Sequence, residues 1–195
     1  MKTLSRLVLG ALLLGGAGLS AQEVRFGLQA SGNAPLGDLK DAVDSKPGLG
    51  VGAHLTWNLG GGHVVRPRMD YLFFPENSAY AAADYGVSAS GKYKVADLSG
   101  GVDYLYFLEG KDEGFYLTAG LSVNRWKVDY DYTVRIGNVT SSASASDTTT
   151  KGGFAVGAGW NFNRSFGAEV RYTSTKFGKG DGSANAVQVG LTFRF

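Results

Sequence analysis

An alternation of apolar and polar residues with a period of two runs along most of the chain after residue 22. In the clearest case, at the C-terminus, apolar residues stand at every second position: Val187, Val189, Leu191, Phe193 and Phe195. Side chains two residues apart share one face of a β-strand, whereas the faces of an α-helix repeat about every 3.6 residues. The alternation therefore predicts an all-β fold whose strands each carry one apolar face.

Eight segments carry this pattern, and they predict eight strands at residues 24–31, 49–59, 65–73, 97–106, 115–124, 153–162, 166–173 and 187–195. The connections at 60–62, 108–114 and 163–165 are short, whereas those at 33–48, 75–92, 127–151 and 174–184 are long and polar. Short turns at one end, long loops at the other and an even number of strands are typical of outer-membrane barrels. We therefore predict an eight-stranded antiparallel up-and-down transmembrane β-barrel.

The alternative is a soluble β-sandwich, whose second face would be broadly charged. Here the second face consists mainly of Gly, Ser, Thr and Asn with a few ions, which suits the narrow interior of an eight-stranded barrel. Because an isolated buried ion is costly, the inward charges must be paired. The predicted lumen charge network contains Arg25, Arg66, Arg68, Asp70, Asp97, Asp103, Glu169, Arg171 and Arg194.

Aromatic residues stand at the ends of the predicted strands rather than at their centres. Such a distribution favours the two aromatic girdles of a membrane barrel over the core of a sandwich. The predicted girdle residues are Trp57, Tyr71, Phe73, Tyr104, Tyr106, Phe115, Trp160, Phe162, Phe166, Tyr172, Phe193 and Phe195.

The first 21 residues combine Lys2 and Arg6 with a short apolar run and a small-residue end, which is the pattern of a cleavable signal peptide. The domain prediction is therefore a signal peptide at 1–21 and a barrel at 22–195. The whole chain has 19 Lys+Arg and 17 Asp+Glu. Removal of the predicted signal peptide takes away Lys2 and Arg6 and no acidic residue, so the mature chain has 17 basic and 17 acidic residues. A neutral chain has no basic surface for nucleic acid. The sequence contains no Cys, which excludes disulfides and thiolate metal sites.

Several residues need a separate interpretation. Pro67 stands inside a predicted strand, where we expect either a bulge or an unpaired neighbouring carbonyl bound by a lumen side chain. The glycine runs at 48–52 and 153–159 are interpreted as space for lumen side chains, since no helix follows to form a phosphate loop. His54 and His63 stand without the neighbours of a nucleophile triad. We therefore predict no catalytic residue, no cofactor and no metal site, with Asp129 and Asp131 as solvated loop residues.

The signal peptide, the terminal segment at 187–195 and the hairpin segment at 159–172 together resemble the small eight-stranded bacterial outer-membrane barrels, such as the transmembrane domain of outer membrane protein A and its short relatives. The resemblance covers the mature chain and implies export to the outer membrane, with outer-membrane lipid and lipopolysaccharide as surroundings. In that family a final Phe after alternating apolar residues is read by the barrel-assembly machinery. The resemblance therefore implies an assembly signal at Val189, Leu191, Phe193 and Phe195.

The family includes adhesins, structural anchors, narrow pores and a few lipid-modifying enzymes, so the resemblance leaves several functions open. We expect a structural or surface-interaction role for a monomer, with the lumen plugged by paired charges and the long loops contacting an unknown extracellular ligand. The alternative is a narrow pore of low conductance for ions or small solutes. A lipid-modifying enzyme is the remote alternative.

Overall fold

The computed structural model describes residues 24–84, 87–176 and 182–195, and the predicted signal peptide lies outside these residues. Within them the chain forms nine strands and one short helix. Their bounds are β1 (Val24–Leu36), α1 (Gly37–Ala42), β2 (Gly48–Gly60), β3 (His63–Phe73), β4 (Asn77–Asp84), β5 (Val87–Phe107), β6 (Gly114–Ile136), β7 (Val139–Asn161), β8 (Phe166–Lys176) and β9 (Ser183–Arg194).

Eight of the strands form a closed antiparallel ring. Neighbouring strands pair in the order β3-β2-β1-β9-β8-β7-β6-β5, and pairing of β3 with β5 closes the ring. β4 pairs with β5 beyond the end of β3, and so lies outside the ring. The predicted eight-stranded up-and-down barrel is confirmed, and closure leaves the ring without an unpaired edge.

Burial alternates along the barrel strands in the opposite sense to that of a soluble protein. In β1 every second residue from Arg25 to Pro35 is buried, whereas the apolar Val24, Phe26 and Leu28 are about half exposed. Likewise Leu121 on β6 is 73% exposed, whereas Arg66 on β3 is 2% exposed. An apolar outer surface around a polar interior belongs in lipid. No described helix has the length and apolar character to cross a membrane.

Three short turns lie at one end of the barrel, which we call the turn end. They join β2 to β3, β5 to β6 and β7 to β8, as the sequence predicts. The first turn depends on glycine, because Gly60, Gly61 and Gly62 all have positive φ angles, of 88°, 62° and 84°. An L-residue with a side chain would be strained at each of these positions.

The opposite end, which we call the extended end, differs from the prediction. The segments 75–92 and 127–151, predicted as loops, lie mostly in strands, because β5, β6 and β7 continue well beyond the ring with lengths of 21, 23 and 23 residues. β6 and β7 pair without a register shift from Gly114↔Asn161 to Ile136↔Val139. Each extended strand gives the next one a complete set of backbone partners, so polar Ser and Thr residues stay in the sheet.

The segment 33–48, also predicted as a loop, contains the end of β1 and the helix α1. The segment 174–184 includes the ends of β8 and β9, and its middle lies outside the described residues. Of the two alternatives expected at Pro67, the bulge is absent: Pro67 lies in register opposite Val102, and the register shift between β2 and β3 lies at Asn58/Gly60. No bridging pairs with β2 occur at Arg66 and Pro67, because Pro67 has no N–H to donate.

Candidate functional site: a filled lumen and a protruding sheet

Six charged side chains and one tyrosine meet across the middle of the barrel, and we call this group the lumen network. Its members are Arg66, Arg68, Asp70, Tyr116, Asp103, Glu169 and Arg171. Three arginines face three carboxylates, so the charges balance within the group. The side chains of these six ions are 0–7% exposed, apart from 18% for Asp70.

Asp103 is the centre of the lumen network. Its Oδ2 accepts hydrogen bonds from Arg66 Nη2 at 2.8 Å and Arg68 Nη1 at 3.2 Å. Its Oδ1 accepts from Arg171 Nη2 at 3.0 Å. One carboxylate thus neutralises parts of three guanidinium groups, which is the pairing that ions in a low-dielectric interior require.

Glu169 and Asp70 complete the pairing. Glu169 Oε2 accepts from Arg66 Nη2 at 2.7 Å and from the Tyr116 hydroxyl at 2.8 Å. Arg68 donates to both oxygens of Asp70, at 2.6 and 2.8 Å, in the bidentate geometry that suits a guanidinium and a carboxylate. Tyr116 was not among the predicted lumen residues, although its position on the polar face of its strand was a signal for one.

Glycines leave the room that the network needs. A Cβ built at Gly120 would overlap Asp103 Oδ1, and a Cβ at Gly52 would overlap Asp70 Oδ1. In the second glycine run, a Cβ at Gly159 would overlap the Tyr116 ring. These glycines therefore provide space for lumen side chains.

The other three predicted network residues lie apart from this group. Arg25 forms an ion pair of 3.1 Å with Asp112, a residue of the β5–β6 turn for which the sequence gives no signal. Arg194 donates to the carbonyl of Asn163 at 2.9 Å. Asp97 is buried near the extended end, and no described cation lies within ion-pair distance of it. The structure therefore brings together six of the nine predicted charges.

Apolar side chains close the barrel on both sides of the network. At the turn end, Val64, Leu105, Phe107 and Tyr116 form the base cluster. At the extended end is a group that we call the mouth cluster: Leu39, Val43, Phe74, Val95, Trp126, Ala184 and Ala186. Leu39 of α1 and the following Val43 are 1% and 0% exposed. Their spacing of four residues places both side chains on the same side of this short helical turn, toward the barrel mouth.

A cavity of about 70 Å³ remains between the lumen network and the mouth cluster. Arg68, Asp70, Asp97, Ser99 and Asn124 are among the residues that line it. This cavity is large enough for a few water molecules.

Beyond the barrel, four strands continue as what we call the protruding sheet. It contains β4 and residues 87–95 of β5, 127–136 of β6 and 139–151 of β7. The face that continues the lumen side carries Tyr93, Tyr130 and Tyr132, with ring centroids 6.3 Å apart in both neighbouring pairs. Burial and the nearby Asp44 raise the pKa of Tyr93.

The opposite face of the protruding sheet is charged. Glu76 forms ion pairs with Lys92 at 2.8 Å and Lys94 at 3.2 Å, and hydrogen bonds from both lysines lower the pKa of Glu76. Lys127 and Asp129 pair at 2.8 Å, and this hydrogen bond lowers the pKa of Asp129. Each of these three lysines therefore has a carboxylate partner.

The predicted girdle residues lie on the outer face of the barrel near its two ends. Tyr71 and Phe73, whose rings stack at 6.3 Å, and Tyr172 lie toward the extended end. Those toward the turn end are Trp57, Tyr104, Tyr106, Phe115, Trp160, Phe162, Phe166, Phe193 and Phe195. On β9, Val189 and Leu191 are 57% and 67% exposed, Phe195 after the strand is 66% exposed, and Phe193 packs on Phe166.

The two histidines do not form a catalytic group in the part of the chain that the structure describes. His54 is 4% exposed and packs against Gly27, where a Cβ would overlap its ring. His63 Nδ1 shares a hydrogen bond with the Tyr104 hydroxyl, which leaves its ring beside two tyrosines. No described cluster combines three metal-ligating side chains.

Comparison with known proteins agrees with this architecture. Ail, the attachment invasion locus protein of Yersinia pestis, is 14% identical with a TM-score of 0.52, and the match covers 90% of this chain and 100% of Ail. For Ail in complex with the heparin analogue sucrose octasulfate, identity and coverage are the same and the TM-score is 0.54. Neisserial surface protein A is 10% identical with a TM-score of 0.52, at 90% and 100% coverage.

At these identities the likeness shows the fold alone. No curated protein sequence matches the chain significantly. The family model of the outer membrane protein beta-barrel domain matches residues 8–195, which is most of the chain. The chain therefore belongs to the outer membrane protein β-barrel family and is an integral protein of the bacterial outer membrane.

Proposed function

We propose that this protein is a closed outer-membrane barrel that holds the protruding sheet outside the cell as a contact surface. The observation that carries the proposal is that the lumen is filled at three levels while a four-stranded sheet extends from one end. Outer-membrane barrels have short periplasmic turns and longer extracellular segments. The turn end then faces the periplasm, and the protruding sheet faces the exterior.

The filled lumen supports a barrel that does not conduct. An ion would have to pass the base cluster, the lumen network and the mouth cluster, and each contains side chains that are almost completely buried. The cavity of about 70 Å³ has room for only a few waters. A continuous file of water, which the narrow-pore alternative needs, would require several of these side chains to move.

Planar-bilayer recording of the refolded protein tests the closed lumen. We expect no steady channels, and we expect the same sample to show the heat-dependent gel shift of a folded barrel. A porin inserted under the same conditions is the positive control for the bilayer. Regular open channels from the folded protein would contradict the closed lumen and favour the pore.

The protruding sheet supports a surface-contact role in two ways. Its tyrosine face is open: Tyr132, Val134 and Ile136 are 38%, 36% and 60% exposed. In addition, one edge of β7 is only partly covered. It pairs with β8 from Gly153 to Asn161, but from Val139 to Gly152 it has no described partner strand. An exposed strand edge offers backbone donors and acceptors to an extended segment of another protein.

A shortened hairpin tests the contact role. Val128 and Asp147 are register partners, so replacing residues 129–146 with Asn-Gly joins β6 to β7 by a two-residue turn in the same register. Cells that display either chain would be tested for binding to immobilised matrix proteins and glycans. We expect the shortened chain to fold and to lose the binding of the full chain. Equal binding by both chains, or no binding by the full chain, would contradict the proposal.

A sulfated glycan is one candidate ligand, because the Ail complex contains a heparin analogue. The charge distribution does not favour it here, since Lys92, Lys94 and Lys127 are all paired with carboxylates. Heparin binding that weakens steeply with salt would show that these lysines are available to an anionic ligand.

We also propose that the outer face of the C-terminal segment is the signal for the barrel-assembly machinery, and that the girdle rings contact outer-membrane lipid and lipopolysaccharide. The support is the exposure of Val189, Leu191 and Phe195, which lie at every second or fourth position on one lipid-facing stripe of β9 and the residue after it. Phe195→Ala should lower the fraction of assembled barrel in cells. Phe162→Ala is the matched control, because Phe162 lies at the same end with a similar exposure of 63%. Equal assembly of the two variants would contradict the signal.

We infer that the protein is not an enzyme. The support is the position of His54 inside the closed lumen and the pairing of His63 with tyrosine. A lipid-modifying barrel would need a nucleophile and a base within hydrogen-bond reach of each other at the lipid face. Release of fatty acid from outer-membrane lipid by the purified protein, lost on substitution of either histidine, would contradict this inference.

A further inference from the structure

Asp97 is a buried carboxylate whose environment the lumen network does not explain. It lies on the lumen side of β5, opposite Leu72 of β3 and Trp126 of β6, and is 4% exposed. The backbone of Arg125 donates a hydrogen bond to this carboxylate. Its Oδ1, however, is buried without a hydrogen-bond partner.

No described cation compensates this charge. Asp103, the centre of the lumen network, lies six residues further along β5, which corresponds to about 20 Å of strand. The three arginines of the network are already matched by Asp70, Asp103 and Glu169. A buried carboxylate without a counter-charge is strongly disfavoured. A cation at Asp97 would remove that imbalance.

The cavity of about 70 Å³ brings further oxygen atoms to the same place. Ser99 lies opposite Asp70 on β3 and opposite Asn124 on β6, and all three residues line the cavity together with Asp97. Asn124 donates through Nδ2 to Ser122 Oγ at 2.9 Å, which leaves its Oδ1 as an acceptor. The cavity therefore combines carboxylate, hydroxyl and amide oxygens with room for water, and the two arginines that also line it, Arg68 and Arg171, are paired with network carboxylates.

We propose that this cavity binds a hard metal cation, and that Ca²⁺ is the best match. Ca²⁺ accepts six to eight oxygen ligands in flexible geometry, including carboxylates, amide oxygens and waters. Asp97 supplies the charged ligand, and Ser99 and Asn124 supply neutral ones. Asp70 also lines the cavity, but its charge is already matched by Arg68. The cation lies between the lumen network and the mouth cluster and offsets the charge of Asp97, which no described cation pairs.

Terbium luminescence tests the site directly, because Tb³⁺ replaces Ca²⁺ at oxygen ligands and an adjacent indole sensitises its emission. Trp126, directly opposite Asp97, is the donor. The full chain, refolded in neutral detergent with Tb³⁺ present, should show Tb³⁺ emission on tryptophan excitation, and Ca²⁺ added before refolding should suppress this emission by competition. Ca²⁺ should also raise the melting temperature of the wild type. Trp126→Phe should remove the Tb³⁺ emission, because the donor is lost, but should keep this rise in melting temperature.

Asp97→Asn should weaken Tb³⁺ binding by about tenfold or more, since even outer-shell changes at metal sites have effects of this size. Asp131→Asn is the matched control, because Asp131 is an exposed carboxylate of the protruding sheet, and it should keep the emission. In EDTA, Asp97→Asn should melt no lower than the wild type, because it removes a buried charge.

The wild-type protein alone can overturn the proposal. Absence of sensitised emission from the folded wild type, together with equal melting temperatures in Ca²⁺ and EDTA, would show that Asp97 is neutral and the cavity holds water only. Equal emission from Asp97→Asn and the wild type would place the bound ion at the exposed carboxylates of the protruding sheet, and would also contradict the site.

Discussion

The strand β6 runs through two regions that organise the same alternation in opposite ways. Inside the barrel its outward residues are apolar, such as Leu121 and Val123, and its inward residues are polar, such as Asn124. In the protruding sheet the outward residues are Lys127, Asp129 and Asp131, while Tyr130 and Tyr132 face inward. The apolar side of one continuous strand thus changes at Arg125 and Trp126.

The same change occurs on the neighbouring strands. On β5 the outward residues change from the apolar Leu98 in the barrel to the charged Lys94 in the protruding sheet. On β7 they change from the apolar Phe154 to the polar Thr150. The β6–β7 ladder runs through these positions without a break, although β5 exchanges β3 for β4 as its second partner and β7 loses β8. We infer that the solvent outside the sheet also differs, and that the change of apolar side marks the membrane surface, with lipid around the barrel and water around the protruding sheet.

The largest expected effect comes from a charge inside the barrel. Asp103→Asn leaves parts of three buried guanidinium groups without a counter-ion, and should lower the free energy of unfolding by about 3–5 kcal/mol. Asp131→Asn, the same change in the protruding sheet, should change it by less than about 0.5 kcal/mol. Urea unfolding in lipid vesicles measures both. Similar values for the two variants would remove the distinction between the regions.

The second prediction compares two outward positions on β6. Leu121→Arg places a charge in lipid and should cost about 2–4 kcal/mol, as arginine does near the middle of a barrel span. Thr133→Arg, twelve residues further on the same side of the strand, should be almost neutral because that side faces water. The same unfolding assay applies. A cost of Thr133→Arg comparable to that of Leu121→Arg would mean that lipid extends over the protruding sheet.

Most of the barrel wall could be predicted from the sequence, because a period of two along about ten residues specifies both the strand and its lipid face. The protruding sheet could not, since the apolar residues change sides at Arg125 and the Ser/Thr-rich segment after Thr140 has the composition of a loop. The alternation of Val128, Tyr130 and Tyr132 continued, however, with its phase reversed.

The lumen pairing was also only partly accessible from sequence. The residue types and their inward direction follow from alternation, but Arg66 and Glu169 are 103 residues apart and meet across the barrel. Which acid meets which arginine depends on the strand stagger, and alternation does not specify it. The helix α1 is six residues long, too short for a clear helical period, and its buried side chains Leu39 and Val43 gain their role from the barrel mouth.

The third prediction concerns space in the barrel. Gly120→Ala forces a Cβ onto Asp103 Oδ1 and should cost about 1–3 kcal/mol, in the range of overpacked interiors. Gly100→Ala, on the outward side of the neighbouring β5, meets no atom within 4 Å and should cost less than about 0.5 kcal/mol. Unfolding in the same vesicles measures the difference. A cost of Gly100→Ala as large as that of Gly120→Ala would indicate a backbone effect rather than lumen packing.

The smallest effect is a pH dependence confined to the protruding sheet. Lys92 and Lys94 lower the pKa of Glu76 below its ordinary value of 4.5, so the charged carboxylate stabilises the β4–β5 hairpin above that pH. This stabilisation is lost as the pH falls through the lowered pKa. The protection factors of the β4 amides, corrected for the intrinsic exchange rate at each pH, should therefore fall in acid in the wild type and change less in Glu76→Gln. Identical acid dependence in both proteins would contradict the role of Glu76.

The change of apolar side along β6 can be measured position by position. The chain contains no Cys, so single cysteines at Leu121, Val123, Lys127 and Asp129 carry unique nitroxide labels. In bilayers, collision with oxygen should dominate at Leu121 and Val123, and collision with a water-soluble nickel chelate should dominate at Lys127 and Asp129. Lipid-like accessibility at Lys127 and Asp129, or a gradual change with no transition near Arg125, would contradict the assignment of the membrane surface.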